Sequence, residues 1–104
     1  MDEQDGYASG GPFNAVDPKL TVFALANGMD LEKADGRRRL TWFNDGLERA
    51  ITIEPATGGG FRLVGSAWKT HAPEPTAEAE LAALVTREEL TARIEGSIDA
   101  VNAL

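Results

Sequence analysis

Residues 27–54 read NGMDLEKADGRRRLTWFNDGLERAITIE, and three turn dipeptides divide the stretch: Asn27-Gly28, Asp35-Gly36 and Asp45-Gly46. Such pairs are the strongest short hairpin signal, because a type I′ turn needs positive φ at both central residues. The segments between them have strand length, so each pairing can be tested against the next. Two-residue turns set Leu31 opposite Leu40, Glu32 opposite Arg39, Leu40 opposite Ile51 and Trp42 opposite Arg49. Upstream they set Ala24 opposite Leu31 and Ala26 opposite Met29. Downstream, the loop from Glu54 to Gly60 returns Phe61 opposite Ile53 and Leu63 opposite Ile51.

Side chains alternate faces along a strand, so these registers together define two surfaces. One gathers Val22, Ala24, Ala26, Met29, Leu31, Leu40, Trp42, Ile51, Ile53, Phe61 and Leu63, which reads as a core face. The other sets acids beside bases (Glu32 with Arg39, Glu54 with Arg37) and keeps Phe23, Phe43, Val64 and Trp68 among them. The pattern predicts an antiparallel β-meander of about five strands over residues 20–69. A competing reading starts from Asp17-Pro18 and Gly28, an N-cap, a first-turn proline and a C-terminal glycine. It makes residues 18–27 a short helix followed by three strands and C-terminal helices.

Beyond the sheet, His71-Ala72-Pro73-Glu74-Pro75 reads as a stiff linker. Residues 77–85 read as a helix with Leu81, Leu84 and Val85 on one side. A second helix over 87–102 opens on a capping box, Thr86 to Glu89, flanked by Val85 and Leu90 as a hydrophobic staple. Its apolar stripe is Leu90, Ile94, Ile98 and Val101. The expected architecture is therefore α+β: one domain over 17–104, with two C-terminal helices packed on one sheet face. Residues 1–16 are expected to form a flexible arm, in which Tyr7 and Phe13 are expected to do little, with anchoring on the domain or a partner as the alternative.

The 104 residues carry a net charge of −7 and no cysteine. The absence of cysteine rules out disulfides, thiolate chemistry and cysteine-bound metals. Charge is uneven along the chain. Seven acids and two lysines give −5 over residues 1–36; six bases and three acids give +3 over 37–69; seven acids and two arginines give −5 over 70–104. No apolar run approaches the ~18 residues of a membrane helix. The start, Met1-Asp2-Glu3-Gln4-Asp5, lacks the basic and apolar stretches of a signal peptide, so a cytoplasmic protein is expected. Seven arginines against three lysines, with many alanines, suit a high-GC bacterial gene.

The residues that carry chemistry are sparse. His71 is the single histidine, and Ser9, Ser66 and Ser97 lie in no nucleophile elbow. Thr57-Gly58-Gly59-Gly60 leads into strand-like Phe61-Arg62-Leu63-Val64, whereas a phosphate loop must lead into a helix. Asp30, Glu32, Glu48 and Glu54 are available carboxylates, yet no metal-ligand spacing appears among them. No cofactor, no metal and no catalytic activity are expected. Arg37-Arg38-Arg39 before Trp42-Phe43 suggests single-stranded nucleic acid, held by phosphate contacts and base stacking. An acidic domain opposes that reading. What remains is a non-catalytic protein-interaction or regulatory module, with a protein partner or a second copy as its target. Its expected interaction face is Phe23, Arg37, Arg39, Phe43 and Trp68, since aromatics with arginine are enriched in binding patches. Nucleic-acid binding, and a small-ligand or enzyme domain, are the alternatives.

Overall fold

The computed structural model describes residues 11–104. The elements run α1 (Asp17–Ala26), β1 (Asp30–Ala34), β2 (Arg37–Asn44), β3 (Leu47–Pro55), β4 (Phe61–Trp68), β5 (Ala77–Val85) and α2 (Leu90–Asn102). The strands form one antiparallel sheet in the order β1-β2-β3-β4-β5, and both helices pack into a single core on one of its faces. The centre follows the expected register: Leu31 pairs with Leu40, Glu32 with Arg39, Leu40 with Ile51 and Trp42 with Arg49. Asp35 and Gly36 have φ of 54° and 70°, Asp45 and Gly46 of 51° and 81°, as two-residue hairpins require.

The structure departs from the expected architecture in three respects. Residues 17–26 are helical, so the strand expected there does not form. Asn27-Gly28 ends that helix instead of turning a hairpin. Gly28 takes φ of 67°, and the Met29 N–H donates to the Ala24 carbonyl at 2.9 Å, the six-residue closure of a helix C-terminus. A left-handed glycine serves both motifs equally, which is why the dipeptide misleads. The competing reading had the helix right and the strand count too low: five strands follow it, not three.

The second departure is register. Leu63 pairs with Ile53 and Gly65 with Ile51, two residues away from the expected alignment, with Pro55 opposite Phe61. A shift of two keeps every side chain on its own face.

The third is β5. Residues 77–85 form a strand where a helix was expected, so one helix, not two, follows the sheet. Alanine, glutamate and leucine favour helix intrinsically, but tertiary context overrides so weak a preference. Here the alternation Ala77-Glu78-Ala79-Glu80 sets small residues opposite Ala67 and Gly65 of β4 and directs the glutamates to the other face. The segment 71–75 belongs to the β4–β5 connection rather than to a linker after the sheet. The Ala72 N–H donates to the Lys69 carbonyl at 2.9 Å, and the Thr76 N–H to the Ala67 carbonyl at 2.8 Å.

Phe13 and Val16, assigned from the sequence to the arm, are core residues, each 3% exposed. Residues 1–10, Tyr7 among them, lie outside the described residues. Arg38 ties α1 to the sheet: its Nε and Nη2 donate to the two Asp17 carboxylate oxygens at 2.8 and 3.0 Å. Its guanidinium carbon also lies 4.3 Å from the Phe13 ring centroid.

α2 presents the expected stripe, with Leu90, Ile94 and Val101 buried and Ile98 packed against the core. Thr86 and Glu89 exchange backbone-to-side-chain bonds of 3.3 and 3.4 Å in the turn that leads into it. Its C-terminus is gripped from the sheet. Arg49, only 2% exposed, donates from Nη1 to the Val101 carbonyl at 2.7 Å and from Nε to the Asn44 carbonyl at 3.0 Å. The Trp42 Nε1–H donates to Asn102 Oδ1 at 2.9 Å. Beneath the helix lies Gly65, where an added Cβ would stand 2.7 Å from Val101 Cγ2.

Two substitutions test this seating. Arg49→Ala should cost about 2–4 kcal/mol, from lost charged hydrogen bonds and the cavity left behind. Gly65→Val should cost roughly 1–3 kcal/mol by overpacking under α2. Urea unfolding measures both, against the exposed Leu25→Ala as control. Losses below about 0.5 kcal/mol, within the range of ordinary surface changes, would mean that α2 is seated by other contacts.

Candidate functional site

With both helices on one face, the other face of the sheet is a grid whose rows follow from the register. Phe43, Glu48 and Trp68 form one row across β2, β3 and β4. Asp30, Thr41, Ala50, Ser66 and Glu78 form the next, across all five strands. Glu32, Arg39, Thr52, Val64 and Glu80 form the third. Glu54 and Arg62 pair directly beyond it, with Arg37 beside them on β2.

Most of the positive charge on this face is paired internally. Glu54 accepts from Arg62 at 2.8 Å and from Arg37 at 3.3 Å, and Arg62 also lies 3.5 Å from Glu80. The hydrogen bond that Arg62 donates to Glu54, with the nearby Glu80 charge, holds its guanidinium above its ordinary pKa. Arg39 is different. Its Nε is 3.4 Å from Glu32 Oε1 but makes no hydrogen bond, although that nitrogen is buried. Its guanidinium carbon instead lies 5.0 Å from the Trp68 ring centroid.

Arg39 and Trp68 start from strands on either side of β3, roughly 10 Å apart at ~4.8 Å per strand spacing. They therefore meet by leaning across β3. That contact helps explain why Ala50 is fully buried on a face no helix covers. Next to it, residues 72–75 line the far wall of a cleft of about 260 Å³. Arg37, Arg39, Thr52, Ser66, Trp68 and Glu78 line the rest. Phe43 stands apart, 61% exposed.

A second surface lies on the helical side. α1 buries Leu20 and Ala24, while Val22 is 67% exposed and Leu25 79% exposed. Pro18, Lys19, Val22, Phe23, Ala26 and Thr91 of α2 line a shallow, open apolar groove of about 500 Å³.

The expected interaction face is thus divided. Arg37, Arg39, Phe43 and Trp68 share the open sheet face, whereas Phe23 sits on α1, packed against the core and bordering the groove. Arg38, the middle arginine, points to the helical side. The carboxylates Asp30, Glu32, Glu48 and Glu54 do share one face, but among the described residues no group of three His, Asp or Glu can hold a metal ion. His71 lies in the β4–β5 connection, exposed, with φ of 67°. No helix of the described residues is long and apolar enough to cross a membrane.

The sequence reading missed Ser66, Glu74 and Glu78 of the cleft, Val22 of the groove and the exposed Leu25 of the same helix. The groove had a signal: once 17–26 is helical, Leu20, Val22, Phe23, Ala24 and Leu25 spread around that helix and cannot all face the core. The cleft had none, because it depends on where residues 72–75 fold back. Comparison with known protein families, curated proteins and solved structures yields no match.

The two neighbouring arginines should behave unequally. Arg38→Ala loses a two-pronged, partly buried ion pair and a ring contact, and should cost about 1–2 kcal/mol. Arg39→Ala loses a half-exposed stack and should cost under about 1 kcal/mol. Urea unfolding of the two variants would detect a reversed order, which would place the structural arginine on the open face.

Proposed function

We propose that the chain is a small non-catalytic interaction module of the bacterial cytoplasm that docks a protein partner on the outer face of α1. The observation that carries this reading is the exposure of Val22 and Leu25 beside the apolar groove bordered by Phe23. Large apolar side chains exposed together on the outer side of a helix, here next to Lys19 and Thr21, normally mark a contact surface. Ten residues make a helix roughly 15 Å long, which suits one partner helix lying in a groove. A dimer through this face alone would fall short of the ~800 Å² per partner of a standard interface.

Charge weighs against nucleic acid as the target. Two of the three arginines on the open sheet face are ion-paired to Glu54, and six acids (Asp30, Glu32, Glu48, Glu54, Glu78 and Glu80) surround them. A phosphate backbone needs net positive potential.

The test is capture by the tagged full chain, comparing wild type with Leu25→Glu and Phe43→Ala. A protein recovered in near-equal amount by wild type and Phe43→Ala, and at least about tenfold less by Leu25→Glu, supports docking on α1. Circular dichroism should show both variants folded, because both side chains are exposed. Recovery by Leu25→Glu at the wild-type level, or a wild-type eluate holding only this chain, would overturn the reading.

A further inference from the structure

The cleft on the open sheet face is built unlike a plain surface mosaic of charges. Its walls are sorted by sign along the sheet. Arg37 and Arg39 come from β2, while Glu78 comes from β5 and Glu74 from the connection before it. Ser66, 8% exposed, lines the cleft beside them. Arg39 Nε is buried against Glu32, 3.4 Å away, but the arginine side chain as a whole is 42% exposed. The cleft therefore offers a guanidinium, a hydroxyl and two carboxylates to one small ligand, and a charged partner on the guanidinium would make the stronger, charge-assisted kind of hydrogen bond.

The spacing selects the ligand's chemistry. β2 and β5 lie three strand spacings apart, roughly 14 Å. Arg39 crosses most of that width, since its head reaches the Trp68 ring on β4. The gap left between guanidinium and carboxylates is short, so the ligand must carry opposite charges close together. At about 260 Å³ the cleft also admits only a small molecule.

We infer that this cleft binds a small zwitterion, an α-amino acid, with its carboxylate on Arg39 and its ammonium on Glu78 and Glu74. The Ser66 hydroxyl donates to the carboxylate, and the Trp68 ring flanks the ligand's own side chain. The site is separate from the α1 groove and does not depend on it.

The experiment is an amide NMR titration of the full chain with L-alanine, L-valine and L-phenylalanine, each to ~10 mM, where a dissociation constant near 1 mM is already saturated. Each is matched by its N-acetyl derivative, which lacks the ammonium, and its amide, which lacks the carboxylate. Saturating shifts are expected around Ser66, Trp68 and Glu78, with at least a tenfold loss of affinity for both blocked forms. Arg39→Gln and Glu78→Gln should each weaken binding about tenfold, the loss of one charge-assisted hydrogen bond, while leaving the remaining spectrum in place. No shifts with any of the three amino acids, or equal binding of the blocked forms, would overturn the inference. Either result would leave capture through α1 untouched, so the two readings can fail separately.

Discussion

The seating of α2 depends on Arg49. It is the largest fully buried side chain among the described residues, and no carboxylate there pairs with it. Moving a guanidinium out of water costs several kcal/mol unless its donors find acceptors. The carbonyl end of a helix supplies them, with a partial negative charge besides. Arg49 therefore fixes where α2 ends, and the bond from Trp42 to Asn102 fixes it a second time from β2. Gly65 then sets the height of the helix above the sheet, because any side chain there would strike Val101. With α2 held in that position and α1 tied down by the Arg38–Asp17 pair, one face is closed and the other is left open. Both candidate surfaces follow from that asymmetry.

The charge distribution along the chain takes on a structural meaning in the same way. The basic middle segment is largely consumed by the fold. Arg38 goes to Asp17 of the first acidic segment, Arg62 reaches Glu80 of the last, and Arg37 and Arg62 share Glu54. Arg49 goes to backbone carbonyls. A run of arginines followed by aromatics thus reads as a nucleic-acid signature and turns out to be divided among three different tasks. Arg39 is the one of the run with a buried donor left unbonded, its Nε near Glu32, while its head lies over Trp68.

The sequence was most legible where local and long-range demands agreed. Between Leu31 and Ile53, turn chemistry, alternation and cross-strand charge pairs all point to one register, and that register is observed. The Thr86–Glu89 box and the stripe from Leu90 to Val101 were readable because a helix start and an apolar face reinforce each other. Legibility failed where one signal serves two structures. Asn27-Gly28 fits a helix end as well as a hairpin. Ala77 to Val85 has helix-forming composition with strand alternation, and the free edge of β4, invisible in the segment itself, decided between them. Arg37, Arg39, Phe43 and Trp68 were placed on one face correctly because parity alone puts them there. Phe23 was not, because its parity held only if its segment was a strand.

The same reasoning explains why the open face forms a cleft rather than a flat sheet. β4 and β5 are joined by eight residues, Lys69 to Thr76, far longer than the two-residue hairpins of β1–β2 and β2–β3. Two prolines stiffen this connection, and the Thr76 bonds to the Ala67 carbonyl pin its far end. It can neither extend away nor form a tight turn, so residues 72–75 stand beside the open face and give it a wall. Thr52 of β3 and Ser66 of β4, both small side chains, line the cleft between that wall and Arg39. Larger residues at these two positions would have filled the space and made the open face continuous. Small residues beside a stiff wall, facing a half-exposed arginine, leave a concave polar surface where a plain meander would have none.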